Sequence, residues 1–436
     1  MNRKHSRKRF PLVAAAALML SGGAFAYSPP FPRLAGIETG GLANYNSLDY
    51  QSALEKLQVM ILKYWPGLKP GGESMESIIS TIESRDPQAL VFLYANSDEG
   101  YLSSSTAMAP LYQKVNAMRW WLKDGSSLVP SFYDNGGYTI NNTPNTVKDA
   151  DGDDSIDFIT KWYVENFYRP NPDIAGFFMD NVFSKPRVNG DWDGGSLVLS
   201  DTSSQAAGAL QAGYERWFHL TDSLMPGKYE LANAGSWAVD GATVPPGYVD
   251  LANGAVLEAL IGKTYSTEAW AGWPAMMREY DTVMQVTSAP KLVIFNQWGN
   301  PTDYQAFRYG FASCLMNDGY YSFTSYSAGY YGVVHFDEYN AKLGAPVGAP
   351  PTHAWENGVW RRDFTNGIAL VNPKGNGPRT VTLGGTFVKL KGSQDPAVNN
   401  GQRVTQVTLQ NRDGLILMRL SPLSQPSSPA EITVGG

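Results

Sequence analysis

Short apolar runs alternate along most of this chain with longer segments of helical period, and most of the runs end in a polar residue. Runs of strand length lie at 34–38, 59–63, 89–95, 174–180, 229–233, 255–258, 292–296 and 320–324. Between them apolar residues return every three or four positions. Leu111, Val115, Met118 and Leu122 precede Gly125, and Leu210, Tyr214, Trp217 and Leu224 precede Pro226-Gly227. Ile156, Ile159, Tyr163 and Phe167 follow a cap expected at Ser155. A βα rhythm implies a parallel sheet, and eight such strands predict a (β/α)8 TIM barrel over about residues 31–345. The run at 174–180 is the most informative: Ile174 to Met179 is wholly apolar and passes straight into Asp180-Asn181. A strand covered on both faces reads this way, and a carboxylate at its C-terminal tip faces the ligand end of the barrel.

The pattern changes at Gly344-Ala-Pro-Val-Gly-Ala-Pro-Pro351, which reads as a linker. Beyond it the helical period vanishes, and runs at 367–372, 379–383, 386–390, 404–410 and 414–420 predict a C-terminal antiparallel β-sandwich domain over 350–425. A Ser/Pro-rich flexible tail is expected at 426–436. The largest insertion in the barrel, 126–154, is rich in Asn, Gly and Asp and long enough to wall or cover a cleft. Within it Asp149, Asp151 and Asp153 open like a calcium loop. Asp154 and Thr160 stand where that loop needs Gly and Glu, so an acidic helix N-terminus is the better reading.

Composition narrows the function. Residues 1–26 carry a basic start, an apolar stretch and Ala24-Phe25-Ala26, the marks of a cleavable signal with the mature chain beginning near Tyr27. Its loss would take 34 basic residues to 29 against 40 acidic ones and move the formal charge from −6 to −11. That balance excludes a nucleic-acid partner, and no apolar run is long enough for a transmembrane segment. A secreted or periplasmic monomer is expected. Cys314 lies among Phe307, Phe311 and Leu315 and reads as a small buried residue. Twelve Trp and 24 Tyr supply flat apolar faces with polar tips, the surfaces on which sugar rings stack.

The strand tips collect polar residues: Glu38, Tyr94, Asn96, Asp180, Asn181, Asn233, Glu258, Asn296, Gln297 and Trp298. Carboxylates, amides and aromatics with few cations suit a neutral, polyhydroxylated carbohydrate. Asp180 and Glu258 are the carboxylates that cap strongly apolar strands near the middle of the barrel, and glycosidic hydrolysis needs two such groups. They form the expected catalytic pair, with Glu38, Tyr94, Asn181, Asn233 and Trp298 binding substrate. Four His, one of them in the leader, are too few for a metallohydrolase, and no nucleophile elbow, phosphate loop or dinucleotide fingerprint occurs. No metal and no cofactor is expected. The same aromatic and amide ring also suits a non-catalytic carbohydrate-binding barrel, and the C-terminal domain leaves open an interaction protein of the cell envelope.

Several segments carry a resemblance: Gly176-Phe-Phe-Met-Asp180-Asn181, Val256-Leu-Glu258, Asp318-Gly-Tyr-Tyr-Ser-Phe323, Phe336-Asp337-Glu338-Tyr339 with Leu343-Gly344, and Trp360-Arg-Arg-Asp-Phe-Thr-Asn366-Gly367 with Val371-Asn372-Pro373. In these the chain resembles a secreted glycoside hydrolase-like (β/α)8 family whose members pair a barrel with a C-terminal β domain. Acids on strands 4 and 6 are also similar to those of α-galactosidase and α-glucosidase barrels. That likeness implies Asp180 as nucleophile and Glu258 as acid/base, hence a retaining enzyme. The chain departs from those families in having Glu rather than Asp at 258, and from the two-Glu β-glycosidases in ending strand 7 with Asn296.

Overall fold

The computed structural model describes residues 27–41, 44–104, 106–238 and 243–423. The expected leader and the tail at 426–436 lie outside them. Eight parallel strands pair in chain order: β1 (Ala35–Glu38), β2 (Val59–Leu62), β3 (Leu90–Ala95), β4 (Gly176–Met179), β5 (Tyr229–Asn233), β6 (Gly254–Ile261), β7 (Leu292–Gly299) and β8 (Tyr320–Ser325). A parallel bridge from Leu34 to Tyr321 brings the last strand back to the first and closes the barrel.

Strand alternation sorts the side chains into two layers. Ile37, Ile61, Phe92, Phe178, Leu231, Val256, Ile294 and Tyr320 point inward and fill the lumen. Their neighbours Met60, Leu93, Phe177, Leu257 and Phe295 point outward into a second core with the helices. Those helices are α1 (Leu48–Leu54), α2 (Met75–Arg85), α3 (Ala109–Met118), α4 (Ser155–Tyr163), α5 (Ser204–Leu224), α6 (Thr267–Ala271), α7 (Trp273–Val286) and α8 (Tyr304–Cys314). Side-chain caps start several of them: Ser74, Ser203 and Asp303 each accept an N–H three residues on. The cap of α4 is Asp154, which accepts from the Asp157 N–H. Ser155, expected in that role, is buried and donates to the Asn141 carbonyl at 2.5 Å. Cys314 is buried against Tyr280, and loss of water pushes its thiol up to about 12.

The insertion is not structureless. Lys123–Asp124 pairs with Ser127–Leu128, and Tyr138–Thr139 pairs with Glu99–Gly100 just beyond β3. Its acids are engaged by the chain itself. Asp149 meets Lys114 at 2.8 Å and accepts the N–H groups of Asp151 and Asp153, while Asp153 meets Lys161 at 2.5 Å.

Past the barrel a separate antiparallel sheet forms from β9 (Trp360–Asp363), β10 (Gly367–Asn372), β11 (Arg379–Lys389), β12 (Arg403–Leu409) and β13 (Asp413–Arg419), in the order β9-β10-β13-β11-β12. The two runs expected on either side of Gly384-Gly385 are one strand, with a register break between Thr382 and Phe387. One face of β10 and β13 sends Ala369, Val371 and Ile416 into the outer barrel core. The opposite face buries Ile368, Leu370, Leu415 and Leu417 with Val381, Leu383 and Val407. The C-terminal domain is thus built on one five-stranded antiparallel sheet with apolar residues buried on both of its faces.

The segment read as a linker is stitched down. The Phe31 N–H donates to the Gly344 carbonyl at 3.1 Å, and the Val347 N–H to Asp363 at 2.8 Å. Arg308 of α8, 4% exposed, reaches Asp395 at 2.5 Å and Asp413 at 3.3 Å across the junction. Among the described residues no helix is long and apolar enough to cross a membrane. Arg308→Ala leaves two partly buried carboxylates without their cation and should cost about 3 kcal/mol in urea unfolding. A loss below about 1 kcal/mol, the value of an ordinary surface pair, would show that this contact does not hold the two parts together.

Candidate active site

The inward alternation that fills the lumen continues past it. Two residues beyond Ile61, Phe92, Phe178, Leu231 and Val256 stand Lys63, Tyr94, Asp180, Asn233 and Glu258. These five belong to one inward layer at the C-terminal rim of the barrel.

Asp180 extends β4 by one residue, its N–H donating to the Ala95 carbonyl at 2.9 Å. Its Oδ2 accepts the Tyr94 hydroxyl at 2.7 Å, and its Oδ1 accepts Asn233 Nδ2 at 2.8 Å and the Asn181 N–H at 2.9 Å. Asn181 turns the chain with a left-handed φ of 58°, a conformation Asn tolerates better than most residues. Its amide accepts the Tyr133 hydroxyl at 2.8 Å and donates to Asp98 at 3.2 Å. Tyr133 comes from the insertion, which therefore walls one side of the rim.

Glu258 sits inside β6, which runs three residues further than expected. The pairing with β7 shifts register between Leu257 and Ile261, and Ala259 takes φ 54°. This is a bulge, a device that re-aims a side chain in mid-strand. The N–H at Ala259 is satisfied by Asn296 Oδ1 at 3.0 Å. Glu258 Oε2 accepts the same Asn233 Nδ2 at 3.1 Å, and Oε1 accepts the Tyr330 hydroxyl. One nitrogen thus bonds both acids, so Asp180 Oδ1 and Glu258 Oε2 are no further apart than those two bonds laid end to end. Burial first, and then the charge of Asp180, raise the Glu258 carboxyl above its ordinary value.

Glu38 leaves the expected substrate-binding set. It is out of phase with the inward residue Ile37, is 4% exposed, and takes the Tyr50 hydroxyl of α1 at 2.9 Å. Burial pushes its carboxyl up to about 8. Asn296 and Gln297 also serve the fold. Asn296 is fully buried beneath Ser322 and Thr324, and Gln297 bonds Ala306 and Tyr321. Trp298 stands on the rim, where one face carries the Lys263 ammonium 3.7 Å from the ring centroid and the Tyr330 ring lies 5.1 Å away.

Sequence reading overlooked four groups at this rim. Lys63 was visible by the same period-two count and lies 5.6 Å from the Tyr94 ring centroid. Lys263 follows β6 directly. Arg187 covers Phe132 and Phe183 at 5.2 and 4.6 Å. Tyr330 lies in the loop after β8, where no spacing could have indicated it. The rim is thus richer in cations than its strand tips implied.

A closed eight-stranded parallel barrel with polar residues at its C-terminal rim is a (β/α)8 barrel. Residues 85–368 match the sequence profile of hypothetical glycosyl hydrolase family 15, and the chain belongs to that family. No match was found among curated proteins. Similar solved structures include the glycoside hydrolase domain of PelA from Pseudomonas aeruginosa, with 9% identity, 68% of this chain and 95% of that chain covered, and a TM-score of 0.39. An alpha-amylase from Geobacillus thermoleovorans has 10% identity, coverage of 86% and 90%, and a TM-score of 0.44. The type III pullulan hydrolase from Thermococcus kodakarensis has 10% identity, coverage of 89% and 75%, and a TM-score of 0.47.

The Glu38 carboxyl makes a test of its structural role. The folded chain keeps this proton up to about pH 8, whereas the unfolded chain releases it near the ordinary value of 4.5. The group's contribution to stability is therefore whole below 4.5 and is lost as pH rises through 8. Wild type should weaken against Glu38→Gln by up to about 1.4 kcal/mol per pH unit in that window, read by chemical unfolding. A Gln variant with unchanged pH dependence and no turnover would return Glu38 to the site.

Proposed function

We propose that this protein is an exported, retaining glycoside hydrolase acting on a poly- or oligosaccharide, with Asp180 as nucleophile and Glu258 as acid/base. The observation that carries this reading is the single Asn233 nitrogen bonded to both carboxylates. It brings Asp180 Oδ1 and Glu258 Oε2 within reach of one amide, a close placement in keeping with the roughly 5–5.5 Å carboxyl spacing of retaining enzymes, whereas inverting enzymes leave roughly 6.5–9.5 Å for a water. Family membership supports the hydrolase class.

The roles follow from surroundings. Asp180 receives three donors, from Tyr94, Asn233 and the Asn181 backbone, which fix its position. Its Oδ2 holds only the Tyr94 hydroxyl and keeps a lone pair for attack on the anomeric carbon. Glu258, raised by burial and by Asp180, retains a proton to give to the departing glycosidic oxygen. The resulting glycosyl ester on Asp180 is then cleaved by water, whose proton returns to Glu258. Tyr94 and Asn233 orient the pair, Asn181 and Tyr133 form the adjoining wall, and Trp298 stands beside the acid.

Asp180→Asn and Glu258→Gln should keep the wild-type melting temperature while kcat falls by about 10³-fold or more on any polysaccharide the parent cleaves. NMR of the first product should show the anomeric configuration of the substrate. Wild-type turnover in either variant would sink the pair, and an inverted product would sink the retaining mechanism alone.

A further inference from the structure

Three cations stand at this rim, each against an aromatic side chain. Lys63 lies 5.3 Å from the Trp65 ring centroid and 5.6 Å from that of Tyr94, whose hydroxyl bonds Asp180. Lys263 lies on Trp298, which packs against Tyr330, the donor to Glu258. Arg187 covers Phe132, next to Tyr133, the donor to Asn181. They approach from β2, from the segment after β4 and from the segment after β6, three separate sides of the rim.

None of the three is ion-paired among the described residues, although acids outnumber bases 40 to 34 in the chain. Elsewhere Lys114, Lys148 and Lys161 each hold an aspartate. Lys63 and Lys263 are half-buried, so their charge has given up part of its water without gaining a carboxylate in exchange. Burial pulls Lys63 below the ordinary lysine value and Asp180 only partly restores it. An incoming anion would complete both environments. Asp98 and Glu258 at this rim are held towards their neutral forms by burial, while Asp180 offsets part of the charge on Lys63.

We propose that the glycan bound at this rim is anionic, carrying carboxylate or sulfate groups that Lys63, Lys263 and Arg187 receive on either side of the scissile bond. This rests on the hydrolase reading for the position of that bond, but the binding itself does not require turnover. Recognition is therefore opposite in sign to the neutral ligand implied by the strand tips alone.

The test uses full-length Asp180→Asn protein, which binds without cleaving, in affinity electrophoresis against matched polymers. These are a polyuronate and its carboxyl-reduced neutral counterpart, and dextran sulfate and dextran, so that the two arms separate carboxylate from sulfate. Retardation by an acidic member alone is expected, weakening as salt is raised. Adding Lys63→Gln and Lys263→Gln should weaken it by about tenfold or more, with the melting temperature checking the fold. Equal or tighter binding of the neutral polymers, or acidic binding unchanged by the two substitutions, would overturn the proposal. If wild type cleaves only neutral glycans and Asp180→Asn does not, the anionic substrate falls and the hydrolase stands. If acidic glycans bind through the lysines and wild type cleaves none, the hydrolase falls and the anion site stands. Binding of no polymer overturns the anion site outright.

Discussion

Closure of the eight-stranded sheet is the constraint on which everything else depends. Once the Leu34–Tyr321 bridge joins the first strand to the last, every strand must send alternate residues to a common axis. The lower inward positions are apolar because they meet only one another. The next inward position on β2 to β6 meets the open end of the barrel, and there the side chains are Lys63, Tyr94, Asp180, Asn233 and Glu258. The polar ring and the hydrophobic plug are successive layers of one stack, and the second lends its rigidity to the first.

The two acids have different electrostatic lives although one amide serves both. Asn233 spends its nitrogen on the pair, while its oxygen takes the Gly235 N–H at 3.3 Å, so the amide is anchored at both ends. Asp180 is the better supplied with donors. Glu258 is withdrawn from water and stands in the field of Asp180, and both effects favour its neutral form. The raised Glu258 carboxyl is a product here of burial first, with like charge reinforcing it.

Much of this was legible from alternation alone. The eight strands, the parallel sheet and the address of Asp180 follow from apolar runs that end in polar residues. Glu38 was misread because it also ends a run, and only its phase against Ile37 reveals that it faces α1. Lys63 was missed for the converse reason: its phase is right, but a lysine after an apolar run looks like an ordinary strand end. Tyr330 reaches Glu258 from a loop, and loops carry no period. In the C-terminal domain Gly384-Gly385 looked like a turn, yet one strand with a register break continues through it. Local pattern records which face a residue occupies, whereas bends and long loops depend on partners distant in the chain.

The bulge in β6 shows how little inherited change separates an inert barrel strand from a reactive one. Between the Leu257–Phe295 and Ile261–Gln297 pairs β6 carries two residues more than β7, so deleting two would restore regular pairing, whereas deleting one at Ala259 would leave the strand out of register and turn its later residues to the opposite face. Lys263 and the loop that bears it would turn with them, and Asn296 would lose the N–H it now accepts. The rim's chemistry therefore depends on chain length at this point as much as on residue identity. A single lost codon here would be harsher than many substitutions, even though every side chain of the acid pair remained encoded.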